Sequence, residues 1–204
     1  MPSRKPAIQP APLPGAWPRP AKIAFIGSHG IRKTSALLAL AAEVQRAGRS
    51  VELGREVVRD NPLGINEGAT GEAQLWVLVS QIRQELELAR KADVLATDRG
   101  VMDNYAYYLR SCGGEDEYET YPLVRRWSRT YDLVVRLLPD VALQADGVRS
   151  TNDAFRDEVE AILDGRQRAD VQLDDLLKGF SLAWEGQRRH NVELCGRRDA
   201  EETP

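Results

Sequence analysis

The stretch from Ile23 to Ser35, IAFIGSHGIRKTS, constrains the fold more than any other part of the chain. An apolar run ends at Gly27, Lys33 and Thr34 follow, and an apolar pattern of helical period comes next. A strand, a glycine turn and a helix in this order are typical of a phosphate-binding loop with the pattern G-x-x-x-x-G-K-S/T. The first glycine, the lysine and the threonine stand at the required offsets, whereas Arg32 replaces the second glycine.

In such a loop, backbone N–H groups and the positive end of the following helix hold the phosphates, and the lysine bridges the β- and γ-phosphates. The hydroxyl of Thr34 is then a candidate Mg²⁺ ligand. The motif therefore predicts ATP and Mg²⁺ as ligands. The candidate nucleotide-binding residues are Gly27, Ser28, His29, Gly30, Arg32, Lys33, Thr34 and Ser35.

Arg32 decides how well this loop can work. The glycine that normally stands there lets the backbone approach a phosphate without a Cβ, and a strained non-glycine dihedral costs about 1–3 kcal/mol. With an ordinary dihedral, the arginine could instead point outward or add a phosphate contact. The sequence leaves both interpretations open, and we expect ATP binding to be weakened without being abolished.

Strand patterns alternate with amphipathic helical patterns along most of the chain, which predicts an α/β fold. We expect a three-layer P-loop NTPase domain with a parallel sheet and helices on both faces. In such sheets, ligands bind at the carboxyl ends of the strands. The predicted strands are Lys22–Ile26, Ser50–Leu53, Asp93–Thr97, Asp132–Leu138 and, more weakly, Phe180–Trp184.

Polar residues follow two of these strands and are expected in the same crevice as the loop. Asp98 suits a carboxylate that holds Mg²⁺ through its water shell, although it could also cap the next helix. Arg99 could neutralise charge on a transferring phosphoryl group, and Asp103 could accept a hydrogen bond from a hydroxyl substrate. Glu56 and Arg59, three residues apart, form either a substrate site or a surface ion pair.

The segment ADGVRS contains a further candidate. Arg149, with Asp146 nearby, could close over phosphate as a lid arginine, or it could lie in a solvated loop. The predicted catalytic residues are thus Lys33, Asp98, Arg99 and Arg149.

The composition predicts one folded domain with two extensions. A chain of 204 residues that is 42% hydrophobic can bury one substantial core, which we place at residues 21–184. Residues 1–20 hold seven of the eleven prolines and predict a disordered arm, either a plain extension or a docking segment for a proline-reading protein. Residues 185–204 are rich in charge and predict a loose tail.

Net charge and hydropathy limit the classes of partner and the cellular location that we expect for this chain. A net charge of -3 gives no case for nucleic acid or an anionic membrane surface as a partner. No apolar run approaches the roughly 20 residues that span a bilayer. Two cysteines, Cys112 and Cys195, do not make a disulfide framework, so we expect a reducing compartment and a cytoplasmic location.

With these motifs in order, the chain resembles the P-loop AAA-domain family typified by the ribosylnicotinamide kinase half of the NAD regulator NadR. It is similar, more loosely, to thymidylate and deoxynucleoside kinases. The matching segments span about Lys22 to Leu163 and are GSHGIRKT, REVVRD, the long helix with Gln81 and Glu85, TDRGVMDNYAY and ADGVRS.

The resemblance implies phosphoryl transfer from ATP, with Mg²⁺, to a small hydroxyl-bearing, nucleoside-like acceptor. It implies that Asp98 and Arg99 lie near the reaction centre and that Arg149 belongs to a lid. The alternative is a nucleotide-binding or scaffold module without turnover, which the replacement of the loop glycine by Arg32 favours.

Overall fold

The computed structural model describes residues 20–139 and 150–165 and, for its backbone, strand 192–196. Strands and helices alternate as the sequence predicts. Two short 3-10 turns, Val57–Asp60 and Asn66–Gly68, lie between the second strand and the second helix. The elements are β1 Ala21–Ile26, α1 Lys33–Arg46, β2 Val51–Gly54, α2 Gly71–Leu88, β3 Val94–Asp98, α3 Val101–Ser111, α4 Tyr121–Ser128, β4 Leu133–Leu137, α5 Asp153–Leu163 and β5 Val192–Gly196.

The sheet has the strand order β2-β3-β1-β4-β5, and its first four strands are parallel. β3 pairs directly with β1, so that Asp98 lies opposite Phe25, close to the end of β1. The carboxyl end of β3 therefore lies beside the glycine turn that follows β1. The predicted α/β architecture with a parallel sheet is confirmed.

β5 differs from the prediction. It pairs antiparallel with β4 at the edge of the sheet. The expectation of a loose tail is therefore wrong for residues 192–196, because a strand of five residues, VELCG, is too short to show a periodic pattern among charged neighbours. The predicted strand Phe180–Trp184 and the proline-rich residues 1–19 lie outside the described residues, as do Asp146 and Arg149.

Helices cover both faces of the sheet, which gives the predicted three layers. α1 packs on one face, where Phe25 and Leu37 belong to one buried cluster. α2, α3 and α5 pack on the other face, where Ala24 and Ile26 of β1 belong to a second cluster. Successive residues of β1 thus enter opposite cores, as the alternation of side chains along a strand requires.

Side chains fix the starts of two helices. Thr70 is the N-cap of α2, and its hydroxyl accepts a hydrogen bond of 3.3 Å from the amide of Ala73. The side chain of Asn152 caps α5 in the same way, accepting from Ala154 at 3.0 Å. Among the described residues, no helix combines the length and the hydropathy needed to cross a bilayer.

Candidate nucleotide-binding site

The turn between β1 and α1 is built on two glycines with positive φ. Gly27 has φ 132°, and a Cβ at this position would lie 2.5 Å from the side chain of Ile31 and 2.6 Å from the carbonyl oxygen of Leu137. A side chain is therefore excluded there by contact as well as by dihedral. Gly30 has φ 76°, again in the left-handed region. The tight turn thus requires the absence of a Cβ at Gly27, and at Gly30 it uses a dihedral that glycine adopts without strain.

Arg32, which replaces the second glycine of the motif, adopts the conformation that a glycine would favour. Its φ of 62° and ψ of 29° are left-handed, and its side chain is exposed. Arg32 is also the N-cap residue of α1, and its side chain makes no capping hydrogen bond to the described part of the chain. The first turn of α1 carries no acidic residue. Its amide groups therefore keep the favourable electrostatics for an anion.

Lys33 is buried beneath the turn. Its ammonium donates to the carbonyl oxygen of Gly27 at 3.0 Å and to that of Ser28. Burial, and next the positive charge of Arg99, lower the pKa of Lys33 to about 8. Lys33 is therefore held against the turn, and its ammonium loses a proton more readily than that of an exposed lysine.

Helix α5 holds the start of the same turn. The amide of Ser28 donates to Glu160 at 2.8 Å, and the other carboxylate oxygen of Glu160 accepts from Arg136 of β4 at 3.2 Å. Glu160 was not among the residues predicted for the site. The signal available was a carboxylate directly after Val159, on a helix whose neighbouring residues form an apolar face.

The side chains of Thr34, in the first turn of α1, and Asp98, at the end of β3, are in contact. The hydroxyl of Thr34 donates to one carboxylate oxygen of Asp98. The other oxygen of Asp98, Oδ1, is buried and has no hydrogen-bond partner among the described residues. A hydroxyl and a buried carboxylate oxygen that still needs a partner are suited to Mg²⁺, which is usually bound by one or two carboxylates together with substrate phosphates.

A buried charge cluster lies behind this pair, at the carboxyl end of β3. The guanidinium of Arg99 donates to Glu56 at 2.9 Å and to Asp103 at 3.3 Å, and it lies over the ring of Tyr107 at 4.7 Å. Burial raises the pKa of Asp103 to about 6. Arg59 also donates to Glu56, at 3.3 Å, and its side chain stays partly exposed at the rim.

The structure thus brings together the three sequence motifs that follow β1, β2 and β3. Glu56 is buried, and it pairs with Arg99 as well as with Arg59. The Glu56–Arg59 pair is thus exposed only at Arg59, and a substrate role for the two residues stays a prediction. The fourth predicted catalytic residue, Arg149, lies outside the described residues.

Two cavities meet at Glu56. An open groove of about 340 Å³ runs along the Thr34–Asp98 pair on the side of α1. An inner cavity of about 40 Å³ lies on the side of α2 and α3. Glu56 lines both. The inner cavity is further lined by His29, Gln74, Arg99, Asn104, Tyr107 and Phe155.

His29 belongs to the glycine turn by its backbone and to the inner cavity by its side chain. Its ring contacts the hydroxyl of Tyr107 at 3.0 Å and stacks on Phe155 at 5.2 Å between centroids. Its predicted phosphate contact stays a prediction. Gln74, Asn104 and Phe155 were missed as site residues, since helical periodicity marks such positions only as core.

A family model described as an AAA domain matches residues 22–174, which include the turn, both cavities and α5. The match covers three quarters of the chain. A comparison with curated proteins returns no match.

Proposed function

The chain belongs to the AAA-domain family of P-loop nucleotide-binding proteins, and on this premise we propose that it is a kinase. The reaction would transfer the γ-phosphoryl group of ATP to a small hydroxyl-bearing, nucleoside-like acceptor. The observation that supports this proposal best is the position of Glu56. This buried carboxylate lines both the groove beside Thr34 and Asp98 and the inner cavity. A hydroxyl held at Glu56 would lie between a nucleotide site and an acceptor site.

On the nucleotide side, the amides of the turn and of the first turn of α1 would hold the phosphates. Lys33 would exchange its hydrogen bonds to Gly27 and Ser28 for phosphate oxygens. Thr34 and Asp98 would hold Mg²⁺, which neutralises charge on the β- and γ-phosphates when bound.

On the acceptor side, Glu56 would accept the proton of the attacking hydroxyl. Arg99, held between Glu56 and Asp103, would place its fixed charge near the transferring group. Phosphoryl transfer asks little covalent chemistry of the protein, so catalysis rests on positioning and electrostatics. The resemblance of the sequence to ribosylnicotinamide kinase supports a nucleoside-like acceptor.

Transfer of labelled γ-phosphate from ATP to a panel of ribonucleosides tests the proposal. Lys33→Ala should lower turnover at least about a hundredfold, because it removes a charge that acts on the transferring group. Glu56→Gln should lower turnover while Mg·ATP still binds. Lys91→Ala, at an exposed lysine, is the matched control. Unchanged turnover in Lys33→Ala would rule out the mechanism.

A nucleotide-binding or scaffold module without turnover is the second candidate. The small volume of the inner cavity favours it. Thermal unfolding with Mg·ATP, with Mg·GTP and without nucleotide separates the possibilities. A shift without any transfer to the panel would support a binding module. No shift with either nucleotide would support a scaffold.

A further inference from the structure

The inner cavity contains a buried amide group that lacks a partner. Asn104 of α3 is only 2% exposed, and its side-chain nitrogen makes no hydrogen bond within the part of the chain that the structure describes. A buried donor without a partner loses its hydrogen bonds to water and gains nothing in return. Such groups are few in folded proteins. Because Asn104 lines the cavity, an atom of a bound molecule can supply the missing acceptor.

The walls of the cavity indicate the shape of that molecule. His29 stacks on Phe155 with an angle of 29° between the rings, and Tyr107 meets Phe155 edge-on at 5.8 Å. Val77 and Ile65 complete an apolar lining. Aromatic and aliphatic walls with a few polar groups are typical of sites for flat organic rings.

The polar groups of the cavity are not spread evenly. Glu56 lies where the cavity meets the groove, and Arg99 pairs with it at 2.9 Å. Asn104 and Gln74 project from the two helices that form the walls of the cavity. A molecule with its hydroxyl at Glu56 would therefore reach the amide of Asn104 with its ring.

The cavity must widen to admit a ring, since 40 Å³ holds only a few water molecules. Ile65 and Asn66 line it at the beginning of the turn Asn66–Gly68, and this turn is hydrogen-bonded to the residues around it. Ser150 donates to Asn66 at 3.3 Å and to Glu67, and Arg110 donates to the carbonyl oxygen of Glu67 at 2.9 Å. These hydrogen bonds are partly or fully exposed to water, so water can replace them if the turn moves to widen the cavity.

We propose that Asn104 selects the acceptor by donating a hydrogen bond to a carbonyl oxygen on a flat ring that occupies the inner cavity. This inference rests on the proposed function in one respect, that the cavity binds the acceptor. It adds that the ring of the acceptor carries a carbonyl oxygen and that Asn104 donates a hydrogen bond to this oxygen.

The test is calorimetric titration of the full chain with two ribosides, in the presence of Mg²⁺ and a non-hydrolysable ATP analogue. Uridine carries ring carbonyl groups, and phenyl riboside carries the same sugar with a flat ring that has no hydrogen-bonding atom. We expect the natural chain to bind uridine at least tenfold more tightly. In Asn104→Leu, uridine affinity should fall about tenfold, while phenyl riboside affinity stays within threefold.

Gln84→Leu is the matched control. Gln84 lies on α2 and has a buried side-chain oxygen without a partner among the described residues, but it does not line the cavity. Its replacement should leave the preference for uridine unchanged. Asn104→Ala, which removes the donor without adding bulk, serves as the second variant if Asn104→Leu fails to fold.

Equal affinity for the two ribosides, binding of neither, or an equal loss of both in Asn104→Leu would overturn the proposal. The readout needs no turnover, so its result is separate from that of the transfer assay. Selective uridine binding without any transfer would contradict the kinase proposal alone. Transfer with a ring preference that does not depend on Asn104 would contradict this inference alone.

Discussion

Arg32 and Arg99 both have a positive φ, but the surroundings of their side chains differ. Both are non-glycine residues with positive φ, 62° and 90°, and both lie close to the carboxyl ends of neighbouring strands. The side chain of Arg32 is exposed. The side chain of Arg99 is buried, paired with Glu56 and Asp103. The guanidinium of Arg99 thus belongs to a buried charge cluster, whereas that of Arg32 is exposed to solvent.

The surroundings of Arg99 also hold its backbone. Its amide donates to the carbonyl oxygen of Phe25 at 3.0 Å, and its carbonyl oxygen accepts from Gln81 of α2 at 3.2 Å. Left-handed residues other than glycine carry strain of about 1–3 kcal/mol and persist where neighbouring contacts fix them. Replacement of the two arginines should therefore have opposite effects on stability.

The largest effect is expected at Arg99. Arg99→Met would leave Glu56 and Asp103 buried beside each other without the guanidinium, which should lower the free energy of unfolding by about 3–5 kcal/mol. Urea unfolding at pH 7 measures this change. Arg83→Met, which removes an exposed pair with Glu87, should change it by less than about 1 kcal/mol. Similar small losses in both variants would show that the buried charge cluster does not stabilise the fold.

A smaller effect is expected from the titration of Lys33, the lysine next to Arg32. Because its pKa is about 8 and phosphate binding favours the charged form, the affinity for Mg·ATP should fall about tenfold between pH 7 and pH 9. Calorimetry across this range measures the fall. Lys33→Met should bind weakly and show no such fall. An affinity that is constant up to pH 9 in the natural chain would contradict the burial of Lys33.

The same pKa also makes a statement about stability. The folded chain binds fewer protons than the unfolded chain between pH 8 and 10.5, the ordinary value for lysine. The contribution of Lys33 to the free energy of unfolding should therefore rise with pH across this window. The difference in stability between the natural chain and Lys33→Met should change in that direction.

The smallest effect is expected at Arg32. Arg32→Gly should raise the free energy of unfolding by up to about 1 kcal/mol, because the strain that it relieves exceeds the conformational entropy that a glycine adds to the unfolded chain. Thermal unfolding measures the change. Ser35→Gly, at an exposed helical position nearby, should destabilise instead and is the control. A loss of stability in Arg32→Gly would mean that the arginine side chain makes a stabilising contact.

The sequence predicted those parts of the site that depend on chain order. Gly27, Lys33 and Thr34 belong to a local motif, and Asp98 and Glu56 follow strands, so a parallel sheet brings them together. The backbone of Arg32 could not be predicted, because its dihedral is set by how the whole turn joins β1 to α1.

The inner cavity could be predicted only in part. Asn104, Gln74 and Phe155 lie on helices whose periodicity separates buried from exposed positions, and periodicity does not separate a core from a cavity wall. Glu160 could not be predicted as a site residue either, because its partners, Ser28 and Arg136, lie far from it in the sequence.

We expect the turn between β1 and α1 to bind Mg·ATP despite Arg32, because Arg32 adopts the left-handed backbone that a glycine would favour. Titration of Mg·ATP into the natural chain, Arg32→Gly and Lys33→Met tests it most directly. The strain at Arg32 is present before any ligand binds, so it affects folding more than binding. We therefore expect the natural chain to bind within about tenfold of Arg32→Gly, and Lys33→Met to bind far more weakly. Binding by Arg32→Gly with none by the natural chain would contradict the claim.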